Sequence, residues 1–150
     1  MPESFLGLPI HPLVVHATVV IVPTAAALLV ATALLPRLRA WAGPLPLLLA
    51  VVALVLTPIS TASGKNFAES FGESKAIERH QDLGEMLIWW TLGLVLVAGA
   101  VWLLERRGQL GGGVAVGLKV AAVLVGLGTT VQVALIGHSG AEAAWGALLG

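Results

Sequence analysis

Histidine is the residue of this chain best equipped for binding or redox chemistry, because imidazole nitrogens ligate iron, copper and zinc and titrate near neutrality. There are four, His11, His16, His80 and His138, in 150 residues that contain no cysteine. The missing thiols exclude disulfides, thiolate metal sites, iron–sulfur clusters and haem attached through Cys-x-x-Cys-His. Two imidazoles on facing helices could hold haem b axially, as His16 with His138 or His11 with His80. Three or four could hold copper or zinc, with Asp82 or Glu85 joining them. His11 and His16 are five residues apart, about 140° of rotation and about 7.5 Å of rise on one helix, so they do not easily share a metal. No Walker loop, dinucleotide fingerprint or His-Glu-x-x-His is present.

The elements that must carry these side chains follow from composition. The chain is 57% hydrophobic and 11% charged, with a mean hydropathy of +0.95. Soluble domains carry about 25% charged residues, so lipid must cover much of this surface. Net charge is zero and no basic tract occurs, which argues against a nucleic-acid partner. Four segments are long and apolar enough to cross a bilayer as helix, at about 13–35, 45–62, 83–104 and 114–137. The first has no Lys or Arg before Arg37 and is too long for a signal-peptide core, so it reads as a mature span. Pro23 should kink the first helix, and Pro58 should bend or end the second. The expected fold is all-α: one polytopic membrane domain over residues 1–150, an antiparallel four-helix bundle with an outer loop at 63–80. In that loop Phe67 and Phe71, four apart, could form one face of a short interfacial helix.

Orientation follows from Lys/Arg bias in short loops. The two short connections hold Arg37, Arg39, Arg106 and Arg107 against Glu105. They are expected in the cytoplasm, with both termini and the long loop outside. The tryptophans fall mostly near span ends, as interfacial anchors do.

An up-down bundle gathers all four histidines at one side of the membrane, and this depends on the helix count alone. Each has an ordinary alternative role. His11 precedes Pro12 at a helix start. His138 can serve a helix C-terminus that Gly140 closes. His80 can be a solvated loop residue. His16 lies about a turn inside an apolar helix, where an ionisable group is expected to face the bundle and find a partner. That partner would come from the same layer: His11, His80, His138, Asp82, Glu85 or Gln132. Gly84, four residues after His80, leaves a gap in the side-chain wall where a flat ligand could lie.

The segment Gly7-Leu8-Pro9-Ile10-His11-Pro12-Leu13-Val14-Val15-His16 resembles the opening of the bacterial membrane family DUF2231, which begins with His-Pro-x-x-x-His before an apolar helix. His80-Gln81-Asp82-Leu83-Gly84 is similar to the family's His-x-x-x-Gly, and Gly137-His138-Ser139-Gly140 to its closing Gly-His-x-Gly. The resemblance covers nearly the whole chain. It implies a four-helix, multi-pass bacterial membrane domain without settled biochemistry; with the Lys/Arg bias above, the expected place is the bacterial cytoplasmic membrane with the histidine side facing out. Such domains are often joined to Rieske or c-type cytochrome domains, which implies an electron-transfer partner. The leading expectation is therefore a membrane redox or metal-binding module, with haem b ahead of copper or zinc. A non-catalytic scaffold or assembly subunit with structural histidines is the alternative. A proton or ion path through His16, Gln132 and Glu85 is a third possibility.

Overall fold

Four helices are long and apolar enough to span a membrane. The computed structural model describes residues 4–5, 8–69 and 74–149. A two-residue antiparallel pairing, Ser4–Phe5 with Leu8–Pro9, precedes the helices. They are α1 (Ile10–Leu34), α2 (Pro36–Ala42), α3 (Leu45–Ala68), α4 (Lys75–Arg106) and α5 (Gly112–Leu149). The long helices pack in the cyclic order α1, α3, α4, α5, each antiparallel neighbour following the last, with α1 and α4 on one diagonal. The result is the all-helical, four-span bundle expected.

The helices are longer than hydropathy alone suggests. Hydropathy marks the part of a helix that lipid covers, and backbone hydrogen bonding continues past it. Pro58 does not end α3, which runs ten residues further to Ala68. α4 starts at Lys75, where the Ser74 side chain accepts from the Ile77 amide at 3.2 Å, an N-terminal cap. Most of the expected outer loop is therefore helix. Phe67 belongs to α3, and Phe71 lies outside the described residues. Gly140 closes no turn, because α5 continues through it to Leu149. The first short connection is also helical: Pro36 opens α2 at a position where its missing N–H costs nothing.

Small and hydroxylated residues fill the bundle interior. Ala25, Ala26, Ala50, Ala53 and Ala122 are essentially inaccessible, as are Thr57, Thr91 and Thr129. Each of those threonines donates its hydroxyl to its own helix: Thr57 to the Ala53 carbonyl at 2.8 Å, Thr91 to Leu87 at 3.2 Å and Thr129 to Val125 at 2.7 Å. The polar atom is thereby satisfied within the helix, and a compact side chain lets neighbours approach. Among the described residues no buried side-chain nitrogen or oxygen lacks a partner. Large apolar side chains such as Val20, Leu96, Leu124 and Leu127 point outward instead, as a lipid-facing surface requires.

Closest approach occurs at two glycines of α5. A β-carbon on Gly128 would stand 2.0 Å from Trp90 Cζ3, and one on Gly126 would stand 2.5 Å from Val30 Cγ2. Trp90 is thus a packing residue inside the bundle, while Trp41 and Trp89 are exposed as expected of anchors. Gly128→Ala should lower stability by about 1–3 kcal/mol through overpacking. Gly117→Ala, with open space around it, should be neutral or stabilising by up to about 1 kcal/mol. Thermal unfolding in detergent distinguishes the two.

Candidate functional site

The four histidines lie toward one end of the bundle, as the topology requires, but only two of them enter its interior. His11, on the first turn of α1, is half-buried against α3. Its Nδ1 is 3.1 Å from Ser63 Oγ, its ring centroid 5.7 Å from that of Phe67, and a β-carbon on Gly64 would stand 2.9 Å from its Cε1. His80, on the second turn of α4, repeats this arrangement against α5. Its Nδ1 is 3.1 Å from Ser139 Oγ and 3.1 Å from the Ile136 carbonyl, and a β-carbon on Gly140 would stand 3.0 Å from its Cε1. Each ring therefore lies over a bare glycine backbone and beside a serine of the neighbouring helix.

The two serine hydroxyls are also in reach of carbonyls of their own helices, Ser60 at 2.9 Å and Ile136 at 3.0 Å. A carbonyl can only accept, so the Nδ1 of His80, 3.1 Å from the Ile136 carbonyl, carries the ring hydrogen. The His11 ring likewise donates to the Ser60 carbonyl, with its Nδ1 beside Ser63 Oγ. In the neutral ring this leaves Nε2 with its lone pair, the state in which imidazole ligates a metal or accepts a proton. A partner on Nδ1 is also what orients and polarises a ligating histidine.

The other two histidines do not join them. His16 is exposed, contrary to the expectation that it faces the bundle, and its Nδ1–H donates to the Pro12 carbonyl one turn back. An intrahelical bond satisfies the ring nitrogen without a partner from another helix, which is how this position tolerates an imidazole. His138 is exposed and paired with Glu142 at 3.2 Å, and Arg79 joins the same carboxylate at 3.3 Å. Among the described residues no three His, Cys, Asp or Glu side chains gather as metal ligands.

The remaining candidates serve helix contacts. Glu85 pairs with Lys65 at 2.6 Å on the surface. Asp82 is exposed. Gln132 is buried and donates its amide to the Leu83 carbonyl at 2.7 Å, tying α5 to α4. His16, Gln132 and Glu85 therefore form no continuous path. Gly84 faces Thr61 of α3, at ordinary contact distance for an added β-carbon, so the gap beside the His80 ring is Gly140 and not Gly84. Ser63 and Gly64 were legible only as a repeated Ser-Gly dipeptide, at 63–64 and 139–140, near the ends of two spans. At the opposite end a cavity of about 70 Å³ is lined by residues that include Ala33, Val101, Leu118 and Lys119.

The two rings contribute unequally to stability from the exposed pair. His11→Ala and His80→Ala each remove an interhelical hydrogen bond and a packed ring, and should cost about 1–3 kcal/mol. His16→Ala and His138→Ala should stay within about 0.5 kcal/mol of the parent. Unfolding in detergent measures all four.

Neither the curated proteins nor the solved structures include a match to this chain. A family model, described as "Predicted membrane protein (DUF2231)", matches residues 7–150. With four helices able to span a membrane and a match over nearly all its length, the chain belongs to the DUF2231 family of membrane proteins.

Proposed function

We propose that the chain is a membrane module that binds a metal-bearing cofactor through Nε2 of His11 and His80, and that the cofactor is haem b in the service of electron transfer. The observation that carries this reading is the pair of inward-turned imidazoles, each bonded through Nδ1 to the neighbouring helix, which leaves Nε2 turned to no hydrogen-bond partner among the described residues. The donor set favours haem over copper or zinc. A structural or catalytic zinc takes three or four protein ligands, and only two imidazoles turn inward at this end. Haem brings four equatorial nitrogens of its own and asks the protein for two axial ones. His11 and His80 would hold it, and it would supply a one-electron couple. Ser63 and Ser139 hold the ligating rings in place.

The histidine end would face the outside of a bacterial cytoplasmic membrane, since Arg37, Arg39, Arg106 and Arg107 occupy the other end. A Rieske or c-type cytochrome partner would then meet the protein on the histidine side. Membrane-impermeant maleimide should label a cysteine introduced at Gly108 in inverted vesicles and not in intact cells.

A second reading has its own support. The His11–Ser63 and His80–Ser139 bonds each join two helices, as the polar contacts of a purely structural scaffold do. The visible spectrum of the purified protein, with elemental analysis, decides between them. The redox reading expects a Soret band at one haem per chain, altered when either His11 or His80 is replaced by Ala, lost when both are, and unchanged in His16→Ala and His138→Ala. A colourless, metal-free protein that is folded and stable would leave the scaffold.

A further inference from the structure

The His-Ser-Gly arrangement occurs twice, and so does much of the burial around it. On α1, buried Thr18, Val22, Ala25, Leu29 and Thr32 follow His11 by 7, 11, 14, 18 and 21 residues. On α4, buried Leu87, Thr91, Leu94, Ala98 and Val101 follow His80 by the same intervals. On α3, buried Pro46, Ala50 and Ala53 precede Ser63 by 17, 13 and 10 residues, and on α5 buried Ala122, Gly126 and Thr129 precede Ser139 identically. The outward faces agree in the same register. Leu48 and Leu124, each 15 residues before its serine, are 56% and 63% exposed, and Val55 and Val131, each 8 before, are 54% and 58% exposed. Cross-helix geometry agrees too: both histidines use Nδ1, both serines bond the carbonyl three residues back, and both rings lie on the glycine after the serine.

Chance does not readily produce this. One helix face repeats every seven residues with any heptad-like packing. A common register of four helices relative to two His–Ser pairs is a stronger condition. The bundle order α1, α3, α4, α5 also maps onto itself when the first hairpin replaces the second, because α1 and α4 lie on one diagonal and α3 and α5 on the other. Each half has two spans, so both halves enter the membrane from the same side. The operation that relates them is then a two-fold rotation about the membrane normal.

We propose that residues 10–68 and 75–149 are two copies of one helix hairpin, and that their shared axis, between His11 and His80, is where a single ligand is held from both sides by equivalent nitrogens. The ligand class is one with two like faces, a planar metallo-macrocycle, which rests on the reading of the function given above. A ligand on the axis would be held by one imidazole from each hairpin, His11 and His80, and would join the two halves of the bundle. Ser63 and Ser139 are equivalent positioning residues.

Two measurements test this on the full-length chain, and the first needs no cofactor. The chain has no cysteine, so introduced pairs can be spin-labelled without background. Ala27→Cys with Leu124→Cys spans α1 to α5; its symmetry mate, Leu96→Cys with Leu48→Cys, spans α4 to α3. Coincident distance distributions are expected, and distinct ones overturn the duplication. A second set, Val20→Cys with Leu127→Cys against Trp89→Cys with Val51→Cys, answers the same question should either variant of the first fail to fold. The second measurement places the ligand. In protein carrying haem b, His11→Ala and His80→Ala should each give the same low-spin to high-spin change, reversed by added imidazole. Ser63→Ala and Ser139→Ala should shift the midpoint potential in the same direction. A spectrum that responds to only one of the two histidines overturns the axial placement while leaving haem binding intact. Protein with no haem overturns the ligand and the functional reading together, and the distances still decide the duplication.

Discussion

Lipid is as apolar as the leucines and valines facing it, so no hydrophobic gradient presses one span of this chain against another. What holds the bundle is the distance to which backbones can approach and the few polar bonds made across that distance. The interior composition follows directly. Alanine and threonine occupy the seams, leucine and valine face outward, and the threonine hydroxyls are returned to their own helices. At Gly126 and Gly128 the approach is so close that Val30 and Trp90 occupy the space of a β-carbon. Everything at the histidine end depends on this proximity. Gly64 and Gly140 let the two rings lie on helix backbone, and from there each Nδ1 reaches the serine beside the glycine.

The two ends of the bundle are closed differently. At the histidine end the interior bonds are neutral, between imidazole, hydroxyl and carbonyl, and the ion pairs Lys65–Glu85 and Arg79–Glu142 lie on the surface. At the other end Arg39 of α2 reaches across to Glu105 at the end of α4, Nε to Oε1 at 2.7 Å, with its side chain only 16% exposed. A bidentate-capable guanidinium held in that position joins the first hairpin to the second where no histidine does. Arg106, by contrast, lies over the Trp102 ring at 5.0 Å, a surface cation–π contact. The arginine end is therefore fastened by charge and the histidine end by neutral hydrogen bonds.

Span number, connectivity and the gathering of histidines at one end were legible because they follow from apolar length and from parity. Helix ends were not. Hydropathy falls at Lys65, Lys75 and Arg79, yet α3 runs through Lys65 and α4 is already helical from Lys75, where the Ser74 side chain caps its start. Rotation about each helix axis was the other hidden quantity. His16 sits in a uniformly apolar stretch, and in such a stretch periodicity says nothing of which side faces lipid. The membrane argument for an inward imidazole assumed that the ring needed another helix, whereas the Pro12 carbonyl one turn away suffices. His11 looked like a residue of the helix start and His80 like a loop residue, and these two proved to be the interior pair. Their signal was the recurrence of Ser-Gly at two span ends, which has meaning only once the helices are known to be neighbours.

The hairpin correspondence gives a criterion for the site that burial does not. In the register that matches His11 to His80 and Ser63 to Ser139, the position equivalent to His16 is Glu85, and the position equivalent to His138 is Ala62. Both histidines without a counterpart are exposed, one bonded to its own helix and the other to a surface carboxylate. Both with a counterpart cross to another helix and leave Nε2 free. Two independent properties, symmetry and orientation, thus divide the four imidazoles in the same way. A purely structural role would need only that each ring bridge two helices, which either tautomer achieves through a serine hydroxyl. A carbonyl accepts only, so the Ile136 carbonyl selects the His80 tautomer with its hydrogen on Nδ1, and the His11 ring bonds the Ser60 carbonyl in the same way.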